Sequence, residues 1–184
     1  VADAGDMAFD YAQVSEVPAL IEAHLAAMQN EEVLLDVERL LALDPDDVGA
    51  LITRLMALLN MNRVDEAEAS LRQAIESHPG NWQTYNKLGF FFFQLGRFEE
   101  AERLYLDAIT IVESTSRDEI ELANLNLELG YAQAEQGHFA EAEETFREVL
   151  RIRRRRFGDD HALVAESLND LGTTLGIQGR YEEA

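Results

Sequence analysis

The sequence predicts an all-α chain of paired helices, and three observations carry that expectation. Runs such as Glu99-Glu100-Ala101-Glu102-Arg103-Leu104 consist of strong helix formers. No stretch alternates apolar and polar residues with period two for long enough to specify a sheet. Leu-Gly pairs recur at Leu88-Gly89, Leu129-Gly130 and Leu171-Gly172, spaced by 41 and then 42 residues. A repeat of this length is one helical hairpin. Alone it cannot bury its apolar face, so successive hairpins stack into a solenoid.

The punctuation places the elements in order. Asp44-Pro45-Asp46-Asp47 and His78-Pro79-Gly80-Asn81 each read as a helix stop followed by a new start. Gly96, Gly137 and Gly179 are each followed two residues later by an aromatic residue, Phe98, Phe139 or Tyr181. A glycine there suits a left-handed C-terminal cap, so each marks the turn between the two helices of a hairpin. After each turn comes an alanine, Ala101, Ala142 or Ala184, and four residues beyond the first two lie Tyr105 and Phe146. Small residues at Gly89 and Ala101 allow two antiparallel helices to approach closely, with the aromatic residues filling the space around the contact.

The charge excludes whole classes of partner. Thirty-six acids face fifteen Lys plus Arg over 184 residues, a net charge of −21. Such a chain repels phosphate backbones and anionic membrane surfaces, so neither nucleic acid nor membrane is an expected partner. Residues 1–50 carry twelve acids and one base, whereas residues 151–184 are balanced by Arg151, Arg153, Arg154, Arg155 and Arg156. Those arginines suit the C-terminal end of a helix, where the macrodipole favours cations. A docking patch for an acidic partner or for a neighbouring acidic repeat is the other reading. No apolar run approaches the ~20 residues of a membrane helix. The expected compartment is the cytoplasm, and the absence of cysteine leaves the periplasm open as well.

The best copy of the repeat reads Tyr85-x2-Leu88-Gly89-x2-Phe92, then Gly96, Phe98, Ala101, Tyr105 and Ala108. This resembles the tetratricopeptide repeat, which runs W-x2-L-G-x2-Y, then A-x3-F, then P. Leu51, Leu55, Leu58, Ala67, Leu71, Ala74 and Pro79 fit the same template 34 residues earlier, with Arg54 and Leu55 in place of Leu-Gly. Leu20, Val33, Val37 and Pro45 fit less well, with Ile21 and His24 at positions meant for a small and an aromatic residue. The C-terminal copies, with Phe157-Gly158-Asp159-Asp160-His161 and Ala165-x2-Leu168-Asn169-x-Leu171, resemble the longer repeats of kinesin light chains. The resemblance implies a right-handed superhelical solenoid of antiparallel hairpins. Its expected division is an N-terminal segment 1–13, a degenerate repeat 14–47, repeats 48–81, 82–122 and 123–164, and a partial repeat 165–184.

In that family the first helix of each hairpin lines a groove. Position by position, the resemblance places Asn86, Phe90 and Phe93 there, followed by Asn124, Leu127 and Tyr131, then Asn169 and Thr173, with Ile52, Met56 and Leu59 in the weaker repeat. Asparagine amides both donate and accept, which suits the backbone of a bound peptide. Aromatic residues supply anchor area at little entropic cost. The residues alone also speak here. Phe90, Phe91, Phe92 and Phe93 are consecutive, and at ~100° per residue they sweep ~300° around a helix. One packed face cannot hold all four, so at least one is expected at an open surface. Docking of Met7, Phe9 and Tyr11 onto such a surface in cis is an alternative. The family's carboxylate clamp is not filled: Phe90 and Leu127 replace polar clamp groups, and Glu166 and Asp170 stand where cations are needed. The expected ligand is therefore an apolar or basic protein segment rather than a free C-terminal carboxylate.

Nothing points to catalysis. The four histidines, His24, His78, His138 and His161, are scattered, with no pair at helical metal-ligand spacing. No phosphate-binding glycine loop or nucleophile elbow occurs. Glu99, Glu100, Glu141 and Glu143 read as solvated helix positions. No metal and no cofactor are expected. The functional expectation is a scaffold that captures a peptide or partner helix in the groove. One alternative is self-assembly into a homo-oligomer through the C-terminal end, where Leu168, Leu171 and Leu175 would be exposed. The other is a regulatory region of a larger signalling protein.

Overall fold

A computed structural model describes residues 29–45 and 47–180. The segment 1–13, the Leu20-Ile21-His24 half of the degenerate repeat, the docking of Met7, Phe9 and Tyr11, and the Tyr181–Ala184 start of the last hairpin's second helix lie outside the described residues. Within them the fold is all-α, a helical repeat array: α1 (Asn30–Leu43), α2 (Val48–Asn60), α3 (Val64–Ser77), α4 (Trp82–Gln94), α5 (Phe98–Ser114), α6 (Glu119–Glu135), α7 (Phe139–Phe157) and α8 (Ala162–Ile177). No strand occurs among the described residues, and no described helix is long and apolar enough to cross a membrane. The chain divides into two compact units, one ending at Glu76 and the other beginning at Ser77.

In the first unit, Val33 and Val37 of α1 bury against Ala50 and Ala57 of α2, with Leu34, Leu40 and Leu41 packed around them. The Pro45 stop acts as expected: α1 ends at Leu43, and the Asp47 side chain caps α2 by accepting from the Ala50 amide at 3.0 Å. The turn from α2 to α3 closes with the Arg63 amide donating to the Leu58 carbonyl at 2.8 Å, while Asn62 takes φ +58°.

In the second unit, Asn81 caps α4 through the Gln83 amide at 3.1 Å. The three glycines behave as the sequence predicts. Gly96, Gly137 and Gly179 adopt φ of +72°, +80° and +75°. In each case the next residue's amide reaches five residues back: Arg97 to Phe92, His138 to Gln133 and Arg180 to Leu175, each at 2.9 Å. The same bond ends α5, from Arg117 to Val112 at 2.8 Å, but there Arg117 itself takes φ +51°. A residue that carries a Cβ costs about 1–2 kcal/mol in this region. Arg117→Gly should therefore raise stability, by up to about 1 kcal/mol after the extra unfolded-state freedom of glycine is subtracted. Urea unfolding of the two proteins checks this, and a loss of stability would contradict it.

Close helix approach sits at the predicted glycines. A Cβ on Gly89 would lie 2.9 Å from the Tyr105 ring, and one on Gly130 would lie 2.6 Å from the Phe146 ring. Ala101 and Ala108 of α5 and Ala142 of α7 are fully buried. A polar clamp, repeated in register, joins one hairpin to the next. Gln136 of the α6 terminus donates to Glu102 of α5 at 2.7 Å, and Gln133 donates to the same carboxylate at 3.2 Å. One repeat on, Gln178 donates to Glu143 of α7 at 3.0 Å, joined by Arg180 at 2.5 Å and by Arg147. Glu143 is thus buried, 4% exposed, which corrects its reading as a solvated helix position. Three cationic or amide donors converge on it, so its charge is compensated where burial alone would exclude it. The arginine cluster does end α7, with Arg154, Arg155 and Arg156 in its last turn. Arg153 instead turns inward and donates to the Leu163 carbonyl at 3.1 Å and the Ser167 hydroxyl at 2.9 Å.

Candidate interaction face

The first helices of the second unit, α4, α6 and α8, stand side by side. α4 touches α6. Between α6 and α8, the Tyr131 hydroxyl donates to the Asp170 carboxylate at 3.1 Å. This row is the face on which the sequence placed its candidate residues.

The phenylalanine run resolves as the helical sweep requires. Phe91 and Phe92 are buried, Phe93 is half-buried, and Phe90 is 46% exposed. Phe93 is not an open anchor, because its ring packs edge-on against Phe98 at 5.3 Å, across the turn into α5. Asn124 and Asn169 are exposed, and Leu127 is half-buried. Asn86 is half-buried, with its Oδ1 atom enclosed and without a hydrogen-bond partner. Tyr131 is half-buried, with its ring edge-on to Phe146 at 5.5 Å and its hydroxyl engaged with Asp170. Thr173 is exposed, though its hydroxyl donates to the Asn169 carbonyl at 2.8 Å within α8. In the first unit, Met56 and Leu59 of α2 are exposed and Ile52 is half-buried.

Three charged residues share this row at one register. Lys87, Glu128 and Asp170 each immediately precede the leucine of a Leu-Gly pair. Asp170 enters the sequence reading only as a misfit to the clamp, and Lys87 and Glu128 are missed altogether. Their common offset from the Leu-Gly pair is the signal that could have found them. Burial raises the Glu128 carboxyl above the usual range, and only Lys87 opposes it. Burial likewise raises Asp170, opposed by the Tyr131 hydrogen bond and by Arg153, and reinforced by Glu166. Burial first, and then the Asp170 charge, push the Tyr131 phenol up to about 12. Burial thus disfavours the charge of both carboxylates, and a cation placed beside them would offset that cost. Among the described residues, no group of three His, Asp or Glu side chains is arranged to hold a metal ion.

On α8 the exposure differs from the sequence expectation. Leu168 is 43% exposed and Leu171 half-buried, but Leu175 is 1% exposed. Leu175 is thus buried, on a helix that packs along α7.

Comparison with known proteins bears on this geometry. Tetratricopeptide repeat family models match residues 83–155 and 121–184, and another matches 48–81. No curated protein sequence matches the chain. Among solved structures, a putative kinesin light chain of nearly identical repeats from Podosopora anserina superposes with a TM-score of 0.72 at 17% identity, covering 93% of this chain and 89% of that one. BtubC (BKLC) from P. vanneervenii gives 0.70 at 20% identity over 90% and 69% of the two chains. MamA (MSR-1) gives 0.61 at 20% identity over 94% and 90%. At these identities the likeness is one of fold.

Proposed function

The chain belongs to the tetratricopeptide repeat family, a family of protein-interaction scaffolds, and we propose on that premise that its first-helix face captures an apolar or basic peptide or partner helix. Phe90 is the principal anchor. Tyr131 adds a half-buried aromatic edge, and the half-buried Phe93, packed on Phe98, has the smaller part. Asn124 and Asn169 supply exposed amides for the ligand backbone, and Asn86 belongs to the same row with its Oδ1 enclosed. The observation that carries this reading is Phe90 itself. It is a large apolar side chain held 46% exposed on a helix whose next two residues are buried, in the row where α4 meets α6. The carboxylates on the other two helices of the row, Glu128 of α6 and Glu166 and Asp170 of α8, favour a cationic ligand and oppose an acidic one. The fold is typically that of a non-catalytic scaffold, and the proposed mechanism is reversible binding.

The test begins with selection of peptides from a random dodecamer display library, followed by calorimetric titration. Phe90→Ala is expected to weaken the selected peptides about tenfold or more, as truncation of an aromatic anchor does. Asn124→Ala is expected to weaken them less. Unchanged affinity in both variants would reject the groove reading. A second reading, self-association through α8, is favoured by the exposed Leu168 and Ile177. Light scattering decides it: a mass that rises with concentration supports association, and a constant monomer mass rejects it.

A further inference from the structure

A cavity of about 230 Å³ opens between α1, α2 and α3 in the first unit. Leu34 of α1 and Leu58 of α2 give it apolar walls, and Ser70 of α3 gives it a hydroxyl. Arg54 and Leu58 stand ~160° around α2 from Met56, one on either side, at ~100° per residue. The cavity therefore lies away from the first-helix face.

Ser70 is 7% exposed, yet its hydroxyl has no hydrogen-bond partner among the described residues. Buried polar groups are nearly always paired. Helical serine and threonine hydroxyls often bond back to the carbonyl four residues earlier, as Thr53, Thr110 and Ser167 do here. Ser70 makes no such bond, and the little surface it keeps lines the cavity. The exposed Gln73 amide, at the rim, is also without a partner among the described residues.

The charges around the cavity cancel. Arg54 meets Glu38 at 3.0 Å, and Arg63 holds Glu66 through two hydrogen bonds of 2.6 Å. A charged ligand would have to break one of these pairs, so the fit is to a neutral one. Both guanidiniums engage their carboxylates through nitrogens at the edge of the plane, which leaves a face able to stack on an aromatic ring. Size narrows the choice further. A cavity of ~150 Å³ already admits benzene, whereas drug-sized ligands take ~300–1,000 Å³. The space here suits one substituted ring.

We propose that this cavity is a second binding site, for a neutral phenol ring. The ring packs on Leu34 and Leu58, and its hydroxyl pairs with Ser70, which can both donate and accept. The ring belongs either to a free phenolic compound or to a tyrosine side chain of a partner. The site is independent of the groove reading, which concerns the other face.

The full chain, labelled with ¹⁵N, tests this by separate NMR titrations with p-cresol, toluene and benzoate. Saturable shifts are expected at Leu58, Ser70 and Gln73 with p-cresol. Toluene, which lacks the hydroxyl, should bind about threefold or more weakly, and benzoate more weakly still. Ser70→Ala should erase the preference for p-cresol and leave toluene binding unaltered, a split that a merely structural serine would not produce. Phe90→Ala should leave all of these affinities unchanged, so either site can fail while the other stands. N-acetyl-tyrosine amide then identifies the source of the ring: the same shifts assign the site to a partner's tyrosine, and silence beside a p-cresol response assigns it to a free phenol. No saturable shift with p-cresol, or tightest binding by benzoate, would overturn the proposal. So would a preference over toluene that is absent from the start or survives in Ser70→Ala.

Discussion

Truncating Phe146 to alanine should lower the unfolding free energy by about 3–5 kcal/mol, the range for removing a buried phenylalanine and leaving a cavity. Phe146 is 2% exposed, lies on the bare backbone of Gly130 and meets the Tyr131 ring edge-on. The same contact fails from the other side. A Cβ at Gly130 would be 2.6 Å from the Phe146 ring, and both sit on packed helices with little room to yield. Gly130→Val should cost about 1–3 kcal/mol through overpacking. Because both substitutions act on one contact, the double variant should lose less than the two single losses combined. Urea unfolding of the four proteins gives the coupling. Strict additivity would show that the two residues do not share the contact on which the hairpin is built.

Removing the Glu143 carboxylate is the second large effect. Glu143→Ala takes away an acceptor that serves Gln178, Arg180 and Arg147, and should cost about 1–3 kcal/mol at neutral pH. Burial resists ionisation of Glu143, but the Gln178 amide and the Arg147 and Arg180 guanidiniums outweigh it and hold its carboxyl below the ordinary value of 4.5. A carboxylate depressed in the folded state contributes stability that is fully present above its unfolded value. That contribution is lost as the pH falls through the folded value. The melting-temperature difference between the wild-type chain and Glu143→Gln should thus be full at neutral pH and shrink steadily below about pH 4. A difference that grows on acidification would mean that the carboxylate is not held by its donors. Glu102, one repeat earlier, makes the same kind of clamp with Gln133 and Gln136 and provides an internal comparison.

These two sites also mark what the sequence could and could not disclose. Leu88-Gly89 and Leu129-Gly130 announce close helix approach because glycine inside a helix is costly unless something occupies the space of its missing side chain. Gly96, Gly137 and Gly179 announce turns because few other residues tolerate the backbone angles there. Asn62 and Arg117 hold the same conformation without that signature, so their turns are marked only by the hydrogen bonds that close them. Glu143 sits in an ordinary run of helix-forming acids, and the partners that bury it lie 35 and 37 residues downstream. Local pattern cannot announce a pairing of that kind.

The candidate face was legible to a similar depth. Four consecutive aromatic residues had to place at least one at an open surface, and Phe90 is the one. The partition of the others depended on tertiary contacts: Phe93 on Phe98, and Tyr131 on both Phe146 and Asp170. Leu175 reads as exposed in the sequence, yet it is buried, on a helix that packs along α7. The charges at Lys87 and Glu128 escape a search for peptide-binding amides and aromatic residues. They become visible once the residue before each Leu-Gly pair is compared across the repeats.

The claim that the row of first helices is where another polypeptide binds is tested most directly by amide hydrogen exchange. A peptide selected from the dodecamer library is added at saturation, and exchange is compared with that of the free chain. New protection is expected along α4, α6 and α8, with the largest change near Phe90 and Glu128, while the outer faces of α5 and α7 exchange as before. Protection confined to α5 and α7, with α4 and α6 unchanged, would contradict it.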